Sequence, residues 1–172
     1  MGLLSWLGLR RGDGYPNLDA LLVELRKALP DDESVLIRYI AIVLVLVSKV
    51  AWADGRLSPA EDRSLRELLS HVDGLSPTGV EAVVAALHGK FPEVSDSELT
   101  LCYRELKSLC NARERVEILR LLAKLAAVDG DTSTAEHDEL ESIAGELGIS
   151  IADLASVEAE AASEQRAGAG HA

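Results

Sequence analysis

The chain has 172 residues, of which 48% are hydrophobic and 3% aromatic, and its formal net charge is −12. This length is typical of one compact domain, with or without tails, and a core built mainly from Leu, Val, Ala and Ile favours helices packed on helices. Residues 129–172 hold one basic and eleven acidic side chains, which argues against a nucleic-acid partner because phosphate binding requires clustered Lys and Arg.

The N-terminal residues 1–16 form a separate apolar segment in the sequence. Six of its side chains, four apolar and two basic, are the candidate membrane contacts: Leu3, Leu4, Trp6, Leu7, Arg10 and Arg11. No basic residue precedes the apolar run and no small-residue cleavage site follows it, so a secretory signal peptide is not expected. Two interpretations stay open: a tail that packs on the helical body, or a segment that contacts a membrane surface.

The first two helices are defined by caps and by hydrophobicity. Asn17 caps a helix that ends before Pro30. The next helix lies within residues 33–54 and is apolar on almost every side between Val35 and Val47. A helix of this kind belongs in the centre of a bundle, and the apolar run is too short and too interrupted to span a bilayer.

Six further helices are predicted from cap residues at their starts and glycines at their ends, at about 59–70, 77–90, 96–111, 113–128, 134–147 and 150–164. No stretch alternates as a strand would. The predicted fold class is therefore all-α, a bundle of seven to eight helices. The helical domain covers 17–150, and 151–172 form an acidic C-terminal helix with a frayed tail. Cys102 and Cys110 lack metal or redox spacing and are expected to be buried thiols.

A ten-residue pattern occurs twice along the chain. The segments "ADGRLSPAED" at 53–62 and "VDGDTSTAEH" at 128–137 correspond at an offset of 75 residues. The simplest account is an internal duplication of a helical hairpin. In each copy a glycine ends one helix, and a Ser followed three residues later by Glu forms a capping box at the start of the next. Local folding therefore explains both glutamates, Glu61 and Glu136.

The two aspartates of the repeated corners have no such explanation. Asp54 and Asp129 are each expected at a helix C-terminus, where the helix dipole disfavours a negative charge by about 0.3–1 kcal/mol. Two accounts stay open. Each carboxylate accepts N–H bonds from its own turn, or four carboxylates converge on one or two cations: Asp54, Glu61, Asp129 and Glu136. Oxygen ligands predict calcium, magnesium or manganese, and His137 would shift one site towards zinc or manganese.

Other sites with recognisable chemistry are missing from the sequence. It has no Gly-rich phosphate loop and no nucleophile elbow, and its histidines are scattered. No nucleophile, base and cofactor set occurs together, so an enzyme and an organic cofactor are not expected.

The doubled "A-x-x-D-G-x-x-S/T-x-x-E" pattern resembles the TerB-like family of bacterial tellurite-resistance proteins over roughly residues 34–150. It is also similar to the helical domain before the J-domain in certain membrane-bound DnaJ-type co-chaperones. The resemblance implies an all-helical, non-catalytic protein with protein partners in a membrane-linked stress-response complex. It further implies divalent-metal binding by the four acidic residues of the corners. Together with the apolar N-terminus, it gives an expected cytoplasmic localisation, peripheral to the inner membrane. Thr132 replaces the Leu57 of the first copy, which puts equal packing of the two turns in doubt.

Overall fold

The protein is described by a computed structural model, which covers residues 16–30, 33–51, 53, 58–70, 75–88, 94–128 and 132–169. Within these ranges the chain forms eight α-helices and no strand. The helices are α1 Pro16–Ala28, α2 Ser34–Ala51, α3 Pro59–Ser70, α4 Pro77–His88, α5 Asp96–Leu109, α6 Ala112–Ala126, α7 Thr134–Leu147 and α8 Ile151–Ala169. The all-α prediction is confirmed.

Helix α2 lies in the centre of the bundle, as its sequence predicts. It packs against α1, α5, α6 and α7, and every residue from Ile40 to Ser48 is buried. By length and composition alone α2 is also a candidate membrane span, but 61% of it is buried inside the fold. Its one early charge, Arg38, forms an ion pair with Glu105 of α5, in which the Nη2 atom donates to Oε1 at 2.7 Å. The pairing lets a charged residue lie on this apolar helix.

Helix α6 is the second inner helix and packs against α2, α3, α7 and α8. Arg115 in its first turn donates from Nη1 to the carbonyl of Leu147 at 2.8 Å, and so caps the end of α7. Gly148 follows with φ of 70°, the left-handed conformation that a glycine adopts readily. The predicted helix stop at Gly148 is therefore confirmed.

The last helix is longer than the sequence predicts. Helix α8 continues to Ala169 and so includes most of the segment expected to fray. Seven of its residues are Ala and three are Glu, and both residue types favour helix. Gln165 also donates from Nε2 to the Val128 carbonyl at 2.7 Å, and this bond holds the end of α8 on the body of the protein.

The helix bounds around the two corners correspond at the predicted offset. Helix α2 ends at Ala51 and α6 at Ala126, while α3 begins at Pro59 and α7 at Thr134. The packing of the two units differs. In the described part of the chain α3 packs mainly on α4 and α6, whereas α7 packs on its predecessor α6 and also on α2, α5 and α8. The internal duplication therefore stays a prediction.

Both cysteines are free thiols on or beside α5. Cys102 is fully buried, and burial raises the pKa of its thiol to about 12. Cys110 is half-buried. The prediction of a buried thiol is confirmed for Cys102, and a buried thiol that stays protonated is a poor nucleophile.

Candidate functional site

The two predicted capping boxes are present at the corners. The Ser58 N–H donates to Glu61 Oε2 at 2.6 Å, and the Ser133 N–H donates to Glu136 Oε2 at 2.7 Å. In return the Glu61 and Glu136 N–H groups donate to the serine hydroxyls at 3.1 and 3.2 Å. Both glutamates are buried, at 5% and 8% exposure. Each carboxylate therefore starts a helix, whatever else it binds.

A cleft of about 510 Å³ lies between the end of α2 and the first turns of α7. Its lining residues lie in or beside the two corners: Ser48, Lys49, Ala53, Ala135, Asp138 and Glu139. Ala53 immediately precedes Asp54 in the chain, and Ala135 immediately precedes Glu136. The residues that flank the first corner thus face the same space as the start of the helix after the second corner.

The cleft carries mixed charge. Asp138 and Glu139 contribute carboxylates, and Lys49 contributes an ammonium group whose Nζ lies 3.7 Å from Glu139 Oε2. The Ser48 hydroxyl donates to the Val45 carbonyl at 2.7 Å, which leaves its oxygen lone pairs as acceptors. The oxygens of this lining are ligands of the kind that hard divalent cations prefer, and they lie beside the ammonium group of Lys49.

Most of the predicted ligands and contacts fall outside the described residues. These are the two corner aspartates and the six residues of the N-terminal segment: Asp54, Asp129, Leu3, Leu4, Trp6, Leu7, Arg10 and Arg11. Among the residues that the structure does describe, no group of three or more His, Cys, Asp and Glu side chains is arranged to hold a metal ion. The four-carboxylate site therefore stays a prediction.

His137 makes a contact that its sequence context does not predict. Its Nδ1 atom lies 2.6 Å from Glu158 Oε1 on α8, and this hydrogen bond raises the pKa of the imidazole. The side chain is about half exposed and is not part of the cleft lining. In this structure His137 ties α7 to α8 rather than facing the cleft.

A third Ser-x-x-Glu capping box, which sequence reasoning missed, lies at the start of α5. Glu98 is fully buried and accepts the Ser95 N–H at 2.9 Å. It also accepts the N–H groups of Asn17 and Leu18 at 2.8 and 3.1 Å, from the start of α1. One carboxylate thus caps two helices. The letters "SDSE" at 95–98 reveal the local box, but nothing in them reveals the contact with α1.

The pKa of Glu98 reflects these bonds. Burial by itself raises the pKa of a carboxyl group, because it disfavours the charged form. The donors from Ser95, Leu18 and Asn17 outweigh burial and lower the pKa of Glu98 to about 2. Glu98 is therefore ionised at neutral pH despite its position in the interior.

Comparison with known protein families matches residues 40–159 to the family described as "Tellurite resistance protein TerB". The matched region contains both corners, the cleft and helices α3 to α7. No curated protein and no solved structure matched the chain. Because the family match covers more than two thirds of the sequence and the fold is all-helical as the resemblance implies, the chain belongs to the TerB family of tellurite resistance proteins.

Proposed function

We propose that this TerB-family protein is a non-enzymatic, divalent-cation-binding protein that scaffolds a membrane-linked stress-response complex. The observation that carries the cation part is the cleft between α2 and α7. It brings Ala53, next to Asp54, to the same space as Ala135, next to Glu136. Two further carboxylates, Asp138 and Glu139, line that space.

The ligands would come from both corners. Asp54 and Asp129 are the sequence-predicted first ligands, and each offers carboxylate oxygens of the kind that calcium and magnesium prefer. Glu61 and Glu136 each commit one oxygen to a serine N–H, so a cation at either residue would share the carboxylate with a helix cap. A bound cation would offset the repulsion among these negative charges.

The donor chemistry supports a hard cation over zinc. The described lining of the cleft contains oxygen donors and one ammonium group, without sulfur or imidazole. His137, the residue that would favour zinc, is bonded to Glu158 instead. The oxygen ligands therefore suit calcium, magnesium or manganese as the bound cation.

Thermal unfolding of the purified chain in calcium, magnesium, manganese or zinc chloride tests this proposal. A cation that binds the folded state raises the melting temperature by mass action. The matched variant combines Asp54→Ala with Asp129→Ala and is expected to lose the rise. If no cation raises the melting temperature of the wild-type chain, the cation part of the proposal is wrong.

The second candidate is a structural protein-interaction module, similar to a co-chaperone domain, that binds no metal. The observation that favours it is that both glutamates of the corner motif are buried in capping boxes. Under this alternative, the repeated motif serves to start α3 and α7. The wild-type chain and the double aspartate variant would then respond alike to every cation.

The membrane part of the proposal places the protein in the cytoplasm, at the inner membrane surface. It rests on the N-terminal sequence. An apolar segment with a Trp and trailing arginines binds anionic lipid surfaces through buried apolar area and charge. The full chain is expected to co-sediment with vesicles that contain anionic lipid, and less so with neutral vesicles. Trp6→Ala with Arg10→Ala and Arg11→Ala should weaken co-sedimentation, and an unchanged bound fraction would contradict the membrane contact.

A further inference from the structure

The second half of α8, residues 160–169, has a weaker apolar anchor than the first half. We call this segment the C-terminal strap. In the first half Leu154 and Val157 are buried, whereas Ala161 is the one buried apolar side chain among those described in the strap. Alanine buries much less apolar area than leucine or valine. The hydrophobic effect therefore fixes the first half of α8 to the body more firmly than it fixes the strap.

Polar contacts with α6 hold the strap in place. Glu160 Oε2 accepts a hydrogen bond from Arg120 Nε at 2.9 Å, and Glu164 Oε2 lies 2.7 Å from Lys124 Nζ. The Gln165 side chain adds its bond to a backbone carbonyl at the end of the same helix. The two glutamate side chains are 48% and 58% exposed, and ion pairs in contact with water contribute little to stability. The strap is therefore expected to leave the body before the rest of α8.

A stripe of charged residues runs along the face of α6 that meets α8. Arg113, Glu117, Arg120 and Lys124 follow one another at spacings of four, three and four residues, which places them on one side of the helix. Glu117 pairs with Arg120 at 2.6 Å. The stripe holds three cations and one carboxylate, so it is a positive face on a chain whose formal net charge is −12. The strap covers the part of this face that contains Arg120 and Lys124.

The strap itself shows which kind of segment fits this face. Glu160 and Glu164 are four residues apart on one side of a helix, and they meet two cations, Arg120 and Lys124, that are also four residues apart. The small side chain of Ala161 is buried between the carboxylates in the sequence. An acidic helix from another protein, with carboxylates at the same spacing and a small residue between them, would complement the charge of this face in the same way.

We propose that the C-terminal strap is a removable cover, and that the face of α6 beneath it binds an acidic helix of a partner protein. The partner's carboxylates replace Glu160 and Glu164 on Arg120 and Lys124. The match to the TerB family ends at residue 159, so the matched region includes the charged stripe of α6 and leaves out the strap. This inference rests on the scaffolding part of the proposed function, for which it names a partner class, and it is independent of cation binding.

Hydrogen–deuterium exchange of the full chain tests whether the strap is an electrostatic cover. Because salt screens exposed ion pairs, we expect the backbone amides of residues 162–169 to exchange about threefold faster in ~0.5 M than in ~0.05 M sodium chloride. The amides of residues 153–158 should change little. Arg120→Gln combined with Lys124→Gln should give the fast exchange at both salt concentrations. If neither salt nor these substitutions change exchange in the strap, the inference is wrong.

The matched control for exchange is Arg66→Gln, which removes another exposed ion pair between helices, that of Arg66 on α3 with Glu81 on α4. This variant should leave exchange in the strap as it is in the wild-type chain. Faster exchange in the strap of Arg66→Gln would mean that the loss of any surface ion pair loosens the protein, and this result also overturns the inference.

Binding of a fluorescently labelled peptide with the sequence of residues 158–169 tests the face of α6. In the full chain, Glu160→Gln with Glu164→Gln keeps the shape of the strap and removes its charges. We expect this variant to bind the peptide about fivefold more tightly than wild type, because its own strap competes less. Adding Arg120→Gln and Lys124→Gln should abolish the gain. A control peptide that carries Glu160→Gln and Glu164→Gln should bind more weakly to every protein in the series.

The possible results separate this inference from the proposed function. Tighter binding that requires both Arg120 and Lys124 supports the inference. Equal binding by wild type and the Glu160→Gln, Glu164→Gln variant, or no binding by any protein, overturns it. A concentration-dependent dimer of that variant in analytical ultracentrifugation would assign the face to α8 of a second copy, which overturns the partner assignment. These failures leave the proposed scaffold and its cation binding standing, because neither depends on which surface receives the partner.

Discussion

The start of α5 and the start of α7 use the same four-residue device with different outcomes. At α7, Glu136 accepts the Ser133 N–H within its own capping box. At α5, Glu98 accepts the Ser95 N–H in the same way. It also accepts a backbone N–H from the start of α1, about 80 residues away in the chain. The Ser-x-x-Glu pattern therefore starts a helix in both places, and its neighbours decide whether the carboxylate gains a second role. For the corner glutamates, the capping bond is the observed role, and metal binding is the second role that we propose.

The largest expected effect is at Glu98. We expect Glu98→Ala to lower the free energy of unfolding by about 3–5 kcal/mol, because it leaves buried N–H donors of two helices without their charged acceptor. Urea denaturation at neutral pH measures the change. Glu98→Gln retains an acceptor oxygen and should cost less. A loss below about 1 kcal/mol for Glu98→Ala would remove the difference between the start of α5 and an ordinary cap.

Because Glu98 is charged, its contribution to the free energy of unfolding depends on pH. Its pKa is about 2 in the folded protein against an ordinary value of 4.5. Its contribution is complete above about pH 4.5 and is lost as the pH falls towards 2, because the unfolded chain takes up the proton first. The loss amounts to roughly 3 kcal/mol. The difference in unfolding free energy between wild type and Glu98→Gln should shrink over this range, and a constant difference would contradict the lowered pKa.

The next largest effects on stability are expected at the corner glutamates. Glu61→Ala and Glu136→Ala should each lower the free energy of unfolding by about 1–2 kcal/mol when a chelator is present, since each loses a cap. Glu136→Gln can still form the capping box and serves as the matched control. If Glu136→Gln keeps its stability but loses the calcium-induced rise in melting temperature, the residue has both roles. If Glu136→Gln keeps both its stability and the calcium-induced rise, Glu136 acts only as a cap.

The smallest effect is expected at Glu114, in the exposed capping box at the start of α6. Its carboxylate accepts the Asn111 N–H at 2.7 Å, and the side chain is exposed to solvent. We expect Glu114→Ala to cost about 0.5 kcal/mol by urea denaturation, because water replaces the lost acceptor. A cost equal to that of Glu98→Ala would mean that burial and the contact with α1 add nothing to the cap.

Most of the helices and their starts follow from local sequence. Ser58 with Glu61 and Ser133 with Glu136 start helices where predicted, and α2 is central because it is apolar on nearly every side. These features are predictable because a capping box joins atoms within one helical turn. Hydrophobicity around a helix likewise depends only on residues in that helix.

The contacts between groups that lie far apart in the chain arise from tertiary packing. The bond from Asn17 to Glu98, the cleft with Lys49 and Glu139, and the tie from Gln165 to Val128 each join residues far apart in the chain. No local pattern marks these pairs, because the packing of whole helices brings them together. The sequence identified the acidic corners, and the fold decided that the end of α2 and the start of α7 face one cleft.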